Sequence, residues 1–138
     1  MTPPRLRPLI WIEARIEADD VLDGCRLLRY WGGSFGGYSG LEGLTGAVVG
    51  GADHGRSRRD GLRACDARLV LEAGDGTPLA LYLQGLGPAC GPWPVSGWAE
   101  VAGDSALAWL NAQWLVGQAR RRDDTERWEL FACEGMEG

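Results

Sequence analysis

Asp66 and Arg68 stand two residues apart in a stretch over 62–71 where apolar and polar side chains alternate, so an extended chain places the carboxylate and the guanidinium on one face. On a solvated face they form an ordinary ion pair, worth about 0–1 kcal/mol. Inside a cavity the same pair is costly unless fully matched, and is kept for binding or proton transfer. The hairpin signal Asp75-Gly76 joins this stretch to 78–84, whose mixed face carries Tyr82 and Gln84. A third alternating stretch, over 106–117, puts Trp109, Asn111 and Gln113 on one face. If these faces share a lumen, Asp66 is the candidate acid or base and Arg68 the candidate anion ligand. Tyr82 and Asn111 would then orient a carbonyl or enol oxygen against Trp109.

Asp53 and His54 are the other acid–base candidates. Asp53 follows Gly50-Gly51-Ala52, and the plainer expectation is a turn in which its carboxylate accepts backbone N–H groups. The sharper one places it at a pocket mouth. His54, the sole histidine, is the one side chain that titrates near neutral pH without help. It opens a polar run over 54–60, where a solvated ring is the ordinary reading and catalysis the alternative. Trp31, Trp93 and Trp98 complete the candidate binding residues, because seven tryptophans are many for 138 residues and some can line a cavity. Trp93 falls within 85–97, where three prolines predict a long loop suited to covering a barrel mouth.

Short strands must position these groups. The stretch over 9–17 alternates, with Ile10, Ile12, Ala14 and Ile16 opposite Trp11, Glu13, Arg15 and Glu17. A second strand is expected over 22–30. The third is glycine-rich: nine of the twenty residues from Gly32 to Gly51 are glycine, which opposes a helix and favours bulges and close backbone approach. The hairpin described above supplies the fourth and fifth. Strands over 98–101, 106–117 and 127–133 follow, with Arg120-Arg121-Arg122-Asp123-Asp124 as a charged turn. This is an all-β chain forming a single domain over 1–138. Eight antiparallel strands hide their edges by closing, or nearly closing, into a barrel; a two-sheet sandwich is the alternative.

Composition removes several function classes. A net charge of −5 gives nucleic acid no electrostatic footprint. No apolar run approaches the roughly 20 residues of a membrane helix, and 1–5 lacks a signal-peptide core, so the expected location is the cytoplasm. Cys25, Cys65, Cys90 and Cys133 are widely spaced with one histidine between them, so no metal site is expected and buried thiols are. Phosphate-loop and hydrolase-elbow motifs are absent. No cofactor is expected.

Gly32-Gly33-Ser34-Phe35-Gly36-Gly37, followed by Leu44-Thr45-Gly46 and Gly50-Gly51-Ala52-Asp53, resembles the signature of the domain of unknown function 3237 family, small β-barrel proteins. Gly24-Cys25-Arg26, Asp60-Gly61, Asp66-Ala67-Arg68, Asp75-Gly76, Gly85 and Trp109-Leu110-Asn111 extend the resemblance over nearly the whole chain. The family usually has tryptophan where this chain has His54. The resemblance implies a barrel and leans toward small-molecule metabolism, secondary metabolism included. Two functions are carried forward. One is a cofactor-independent isomerase, cyclase or lyase acting on an apolar or aromatic substrate in the lumen. The other is a non-catalytic small-molecule-binding barrel. Because the mixed sheet face also carries Trp11, Trp98 and Trp109, a homodimer is expected to cover it.

Overall fold

The computed structural model describes residues 5–38 and 40–134. Its strands are β1 (Arg5–Leu22), β2 (Cys25–Gly37), β3 (Thr45–Ser57), β4 (Leu62–Ala73), β5 (Pro78–Pro88), β6 (Trp93–Glu100), β7 (Trp114–Arg122) and β8 (Thr125–Glu134). Each pairs antiparallel with the next, and β8 pairs back onto β1 from Arg5↔Glu134 to Arg15↔Thr125. The result is the expected closed eight-stranded barrel, with one 3-10 turn (Ala108–Ala112) between β6 and β7.

Parity decides what fills the barrel. In β4, Arg63, Cys65, Ala67, Leu69, Leu71 and Ala73 are all buried, and the residues between them face outward. β5 turns Leu79, Leu81 and Leu83 inward. Slipping both strands by one residue would expose five leucines, each stabilising by about 1.5–3 kcal/mol when buried. It would also enclose Asp66 and Arg68. The apolar face therefore wins, and the expectation that the mixed face lines the lumen is corrected: Asp66, Arg68 and Tyr82 project from the outside of the barrel.

Several boundaries also differ from expectation. β2 absorbs 32–37, with Gly33 at φ +115° beside the register shift in β1 between Ala14 and Ile16. A Cβ on Gly33 would lie 1.9 Å from the Glu13 carbonyl oxygen, so only glycine lets the two backbones approach this closely. The run over 54–60 is not all loop, because β3 continues to Ser57. Nor is 85–97 a lid: β5 runs to Pro88, a four-residue turn follows, and β6 starts at Trp93 with strict in–out alternation. Pro94 faces outward in that alternation and so does not break it. The strand expected over 106–117 is divided between the 3-10 turn and β7, which takes in the three arginines.

The two barrel ends are unlike. The β1–β2, β3–β4, β5–β6 and β7–β8 turns gather at one end, the tight-turn end. At the other, the longer connections bring in Leu44, Val101 and Leu110, all buried, as an apolar plug.

Candidate functional site

Among the described residues, the buried charged side chains Asp53, Arg63 and Glu126 form one layer near the tight-turn end. Arg63, the second residue of β4, donates from Nη1 to Glu126 Oε2 at 2.8 Å and from Nη2 to Asp53 Oδ2 at 2.5 Å. Tyr30 donates its hydroxyl to Glu126 Oε1, and the Asp66 backbone N–H donates to Asp53 Oδ1 at 2.8 Å. All four side chains are at most 2% exposed. The Arg63 guanidinium also lies over the Trp93 ring, 4.6 Å from its centroid, and Trp93 meets Trp128 edge to face at 6.4 Å.

Electrostatics follow from this enclosure. Burial pushes the Tyr30 phenol well above its usual range, and the Glu126 and Asp53 carboxylates add to the effect. Burial also raises the neighbouring Cys65 thiol to about 12, with Asp53 contributing. For Arg63, burial alone would loosen the proton; Glu126 and Asp53 more than offset it, so the side chain stays charged. One guanidinium faces two carboxylates. Arg63 Nε, Trp93 Nε1 and Trp128 Nε1 are buried donors without a protein acceptor among the described residues.

Accessible chemistry lies on the outer wall. Cross-strand register aligns Arg68, Tyr82, Trp98 and Trp114 in one row across β4, β5, β6 and β7. Tyr82 and Trp98 stack at 5.4 Å with planes 16° apart, and Trp98 and Trp114 stack at 6.2 Å and 22°. Arg68 lies 5.5 Å from the Tyr82 centroid and forms no ion pair among the described residues. Trp98 and Trp114 are 38% and 51% exposed, so the row is solvated aromatic surface. Beside Tyr82 a cleft of about 410 Å³ is lined by Arg68, Val70, Pro78, Ala80 and Glu100, among others.

The structure thus divides the expected site residues. Asp53 is in the lumen, midway along β3 rather than in a turn, and Trp93 is wholly buried there rather than over a mouth. Arg68, Tyr82 and Trp98 do come together, but outside, with Asp66 on the same face. His54 and Trp31 are outward and exposed, on β3 and β2. Asn111 and Trp109 sit in the 3-10 turn, where Asn111 Oδ1 accepts from Val101 N–H and Nδ2 donates to Val101 O, both at 2.7 Å. The Asn111 amide is a latch on the end of β6, not a lumen ligand. The expected burial of the thiols holds for Cys65; Cys25 and Cys90 are exposed, and all four cysteines are free.

Tyr30, Arg63, Glu126 and Trp128 line the lumen without being among the residues expected there. Arg63 had a readable signal, a lone charge at the head of the apolar series Cys65, Ala67, Leu69, Leu71. Glu126 heads Trp128, Leu130, Ala132 in the same way.

No family model and no curated protein matches the chain. Solved structures do. A conserved protein of unknown function from Rhodopseudomonas palustris superposes with a TM-score of 0.82 at 24% identity, covering 96% of this chain and 99% of that one. A protein with unknown function from Clostridium acetobutylicum gives 0.84 at 15% identity, over 97% and 99%. An enzyme from Penicillium herquei gives 0.71 at 20% identity, over 94% and 96%. At these identities the likeness establishes the shared barrel fold.

Proposed function

We propose that this protein is a small-molecule-binding barrel that holds a planar aromatic or conjugated ligand on its outer wall, within the family that the glycine signature resembles. One observation carries the reading: the solvated Tyr82–Trp98–Trp114 stack with Arg68 at its end. Stacked rings offer apolar contact at little conformational cost, and a guanidinium beside them with no ion-pair partner among the described residues selects ligands with an anionic substituent. The lumen is the poorer host, since Arg63 and Glu126 meet across it.

The test is a tryptophan fluorescence titration with 2-naphthoate and neutral naphthalene. Saturable quenching by naphthoate, weakened about tenfold or more in Trp98→Leu and in Arg68→Gln, is expected. Equal responses in wild type and both variants would remove the site from the outer wall.

A second reading is favoured by the Tyr30–Glu126–Arg63–Asp53 chain. A buried acid–base cluster with unpartnered donors suits a cofactor-independent isomerase, cyclase or lyase, and a barrel neighbour from Penicillium herquei is described as an enzyme. That reading needs the tight-turn end to open to a substrate. It predicts that Glu126→Gln abolishes turnover of a ligand while binding persists.

A further inference from the structure

At the tight-turn end, two clefts meet on the outside of β2 and β3, away from the aromatic row. The larger, about 710 Å³, is lined by Asp23, Gly24, Cys25 and the run Arg56–Asp60. The smaller, about 480 Å³, is lined by Leu22, Leu27 and His54, with Asp20, Arg26, Gly55 and the shared pair Cys25 and Arg56. Register explains the junction: Cys25 pairs with Arg56, and Leu27 with His54, all four facing outward.

The two clefts differ in character. In the larger, Arg58 is bound to Asp60 at 2.7 Å, and Asp60 also accepts the Leu62 N–H. Arg56 and Arg59 form no ion pair among the described residues, and Asp23 is the one carboxylate left facing them in that cleft. In the smaller, Arg26 is held by both oxygens of Asp19, at 3.0 and 2.7 Å, leaving Asp20 as its remaining charge besides Arg56. Part of its wall is apolar: Leu22 is 80% exposed, the most open large apolar side chain among the described residues, and Leu27 is half-buried. An exposed leucine wall running into two guanidinium groups that form no ion pair among the described residues is a surface with two complementary halves. Guanidinium forks match carboxylate and phosphate oxygens, and the leucine wall removes an alkyl or ring body from water.

We propose that these joined clefts bind an amphipathic anion, a molecule with an apolar body and a single carboxylate or phosphate head, its head on Arg56 and Arg59 and its body on Leu22 and Leu27. The chain is acidic overall, so a general attraction for anions does not account for such binding.

Cys25 lies at the junction and reports occupancy directly. The probe is decyl phosphate below its micelle concentration, and the readout is the rate of iodoacetamide labelling at Cys25, followed by peptide mass spectrometry, with the exposed Cys90 as internal control. At saturation Cys25 labelling is expected to slow at least fivefold while Cys90 is unchanged. Inorganic phosphate and decanol should each protect tenfold less effectively than decyl phosphate. The doubly substituted Arg56→Gln/Arg59→Gln protein, with its circular dichroism unchanged, should lose the protection, and Leu27→Asp should lose it independently. Protection by inorganic phosphate alone, equal protection of Cys25 and Cys90, or protection that survives the double substitution would each overturn the proposal.

Discussion

Arg63 Nη1 meets Glu126 Oε2 at 2.8 Å from strands β4 and β8, which lie diametrically opposite in the eight-stranded ring. The ion pair therefore crosses the lumen, and Asp53 and Tyr30 complete a polar layer that ties β2, β3, β4 and β8 together. Its worth lies less in net stability than in what removing one member leaves behind.

Arg63→Met strands two buried carboxylates and is expected to cost about 3–5 kcal/mol of folding stability. Replacing the ionic members together, as Arg63→Met/Asp53→Asn/Glu126→Gln, should cost less than the single substitution. Urea denaturation measures both. A single variant as stable as wild type would show that the layer is not closed to water.

The alkaline limb of stability follows from two groups with raised folded values. Tyr30 and Cys65 hold their protons in the fold beyond the ordinary values of 10.0 and 9.0, both because burial penalises the charged form. Between the unfolded and folded values the folded state binds more protons, so stability falls as pH rises. It should be intact below pH 9, decline from there toward the Cys65 value of about 12, and decline less in Cys65→Ala. Thermal melts from pH 7 to 11 measure the slope. By the same burial, Cys65 should resist iodoacetamide at pH 8 while Cys25 and Cys90 react.

The aromatic stack depends on a glycine behind it. A Cβ on Gly97 would sit 1.7 Å from the Tyr82 carbonyl oxygen, so β5 and β6 can approach this closely only without a side chain there. Gly97→Ala is expected to cost about 1–3 kcal/mol and to weaken naphthoate binding by moving Tyr82 away from Trp98. Chemical denaturation and the fluorescence titration read the two effects separately.

Asn111→Ala removes both hydrogen bonds to Val101 and should cost about 1–2 kcal/mol without changing ligand affinity. A loss of affinity greater than the loss of stability explains would return Asn111 to a binding role.

The exposed row also bears on assembly. We propose that the unliganded protein associates weakly as a homodimer through Trp98 and Trp114, and that ligand competes with the second copy. Light scattering should show a mass above 14.9 kDa that returns toward the monomer in Trp98→Leu/Trp114→Ser. A wild-type monomer at all concentrations would leave the row to small molecules alone.

Strand periodicity made the barrel legible, and the Asp75-Gly76 turn anchored its central hairpin. Lumen parity was harder to read, because Leu69 and Leu71 share a face with Arg63 while Asp66 and Arg68 share the other with Val70, so each face of β4 carried both charge and hydrocarbon. Summed leucine burial decides it, and that sum needs the partner strands. Trp93 lies in a stretch whose three prolines favour a loop, yet the alternation Trp93, Val95, Gly97, Ala99 is that of a strand, and the structure follows the alternation. The Arg63–Glu126 contact had no local signature, since it joins residues 63 positions apart through a closure that only the complete strand order produces.

A lumen filled as a closed core leaves ligand chemistry to the outer wall. Amide and indole chemical-shift mapping with 2-naphthoate distinguishes the two locations. The expected result is saturable shifts on the outer wall, at Arg68, Tyr82, Trp98, Trp114 and their strand neighbours and separately at Leu22, Leu27, Arg56 and Arg59, with Tyr30, Asp53, Arg63, Cys65 and Glu126 unmoved. Shifts concentrated on the latter five, with the outer row silent, would contradict it and place the ligand inside the barrel.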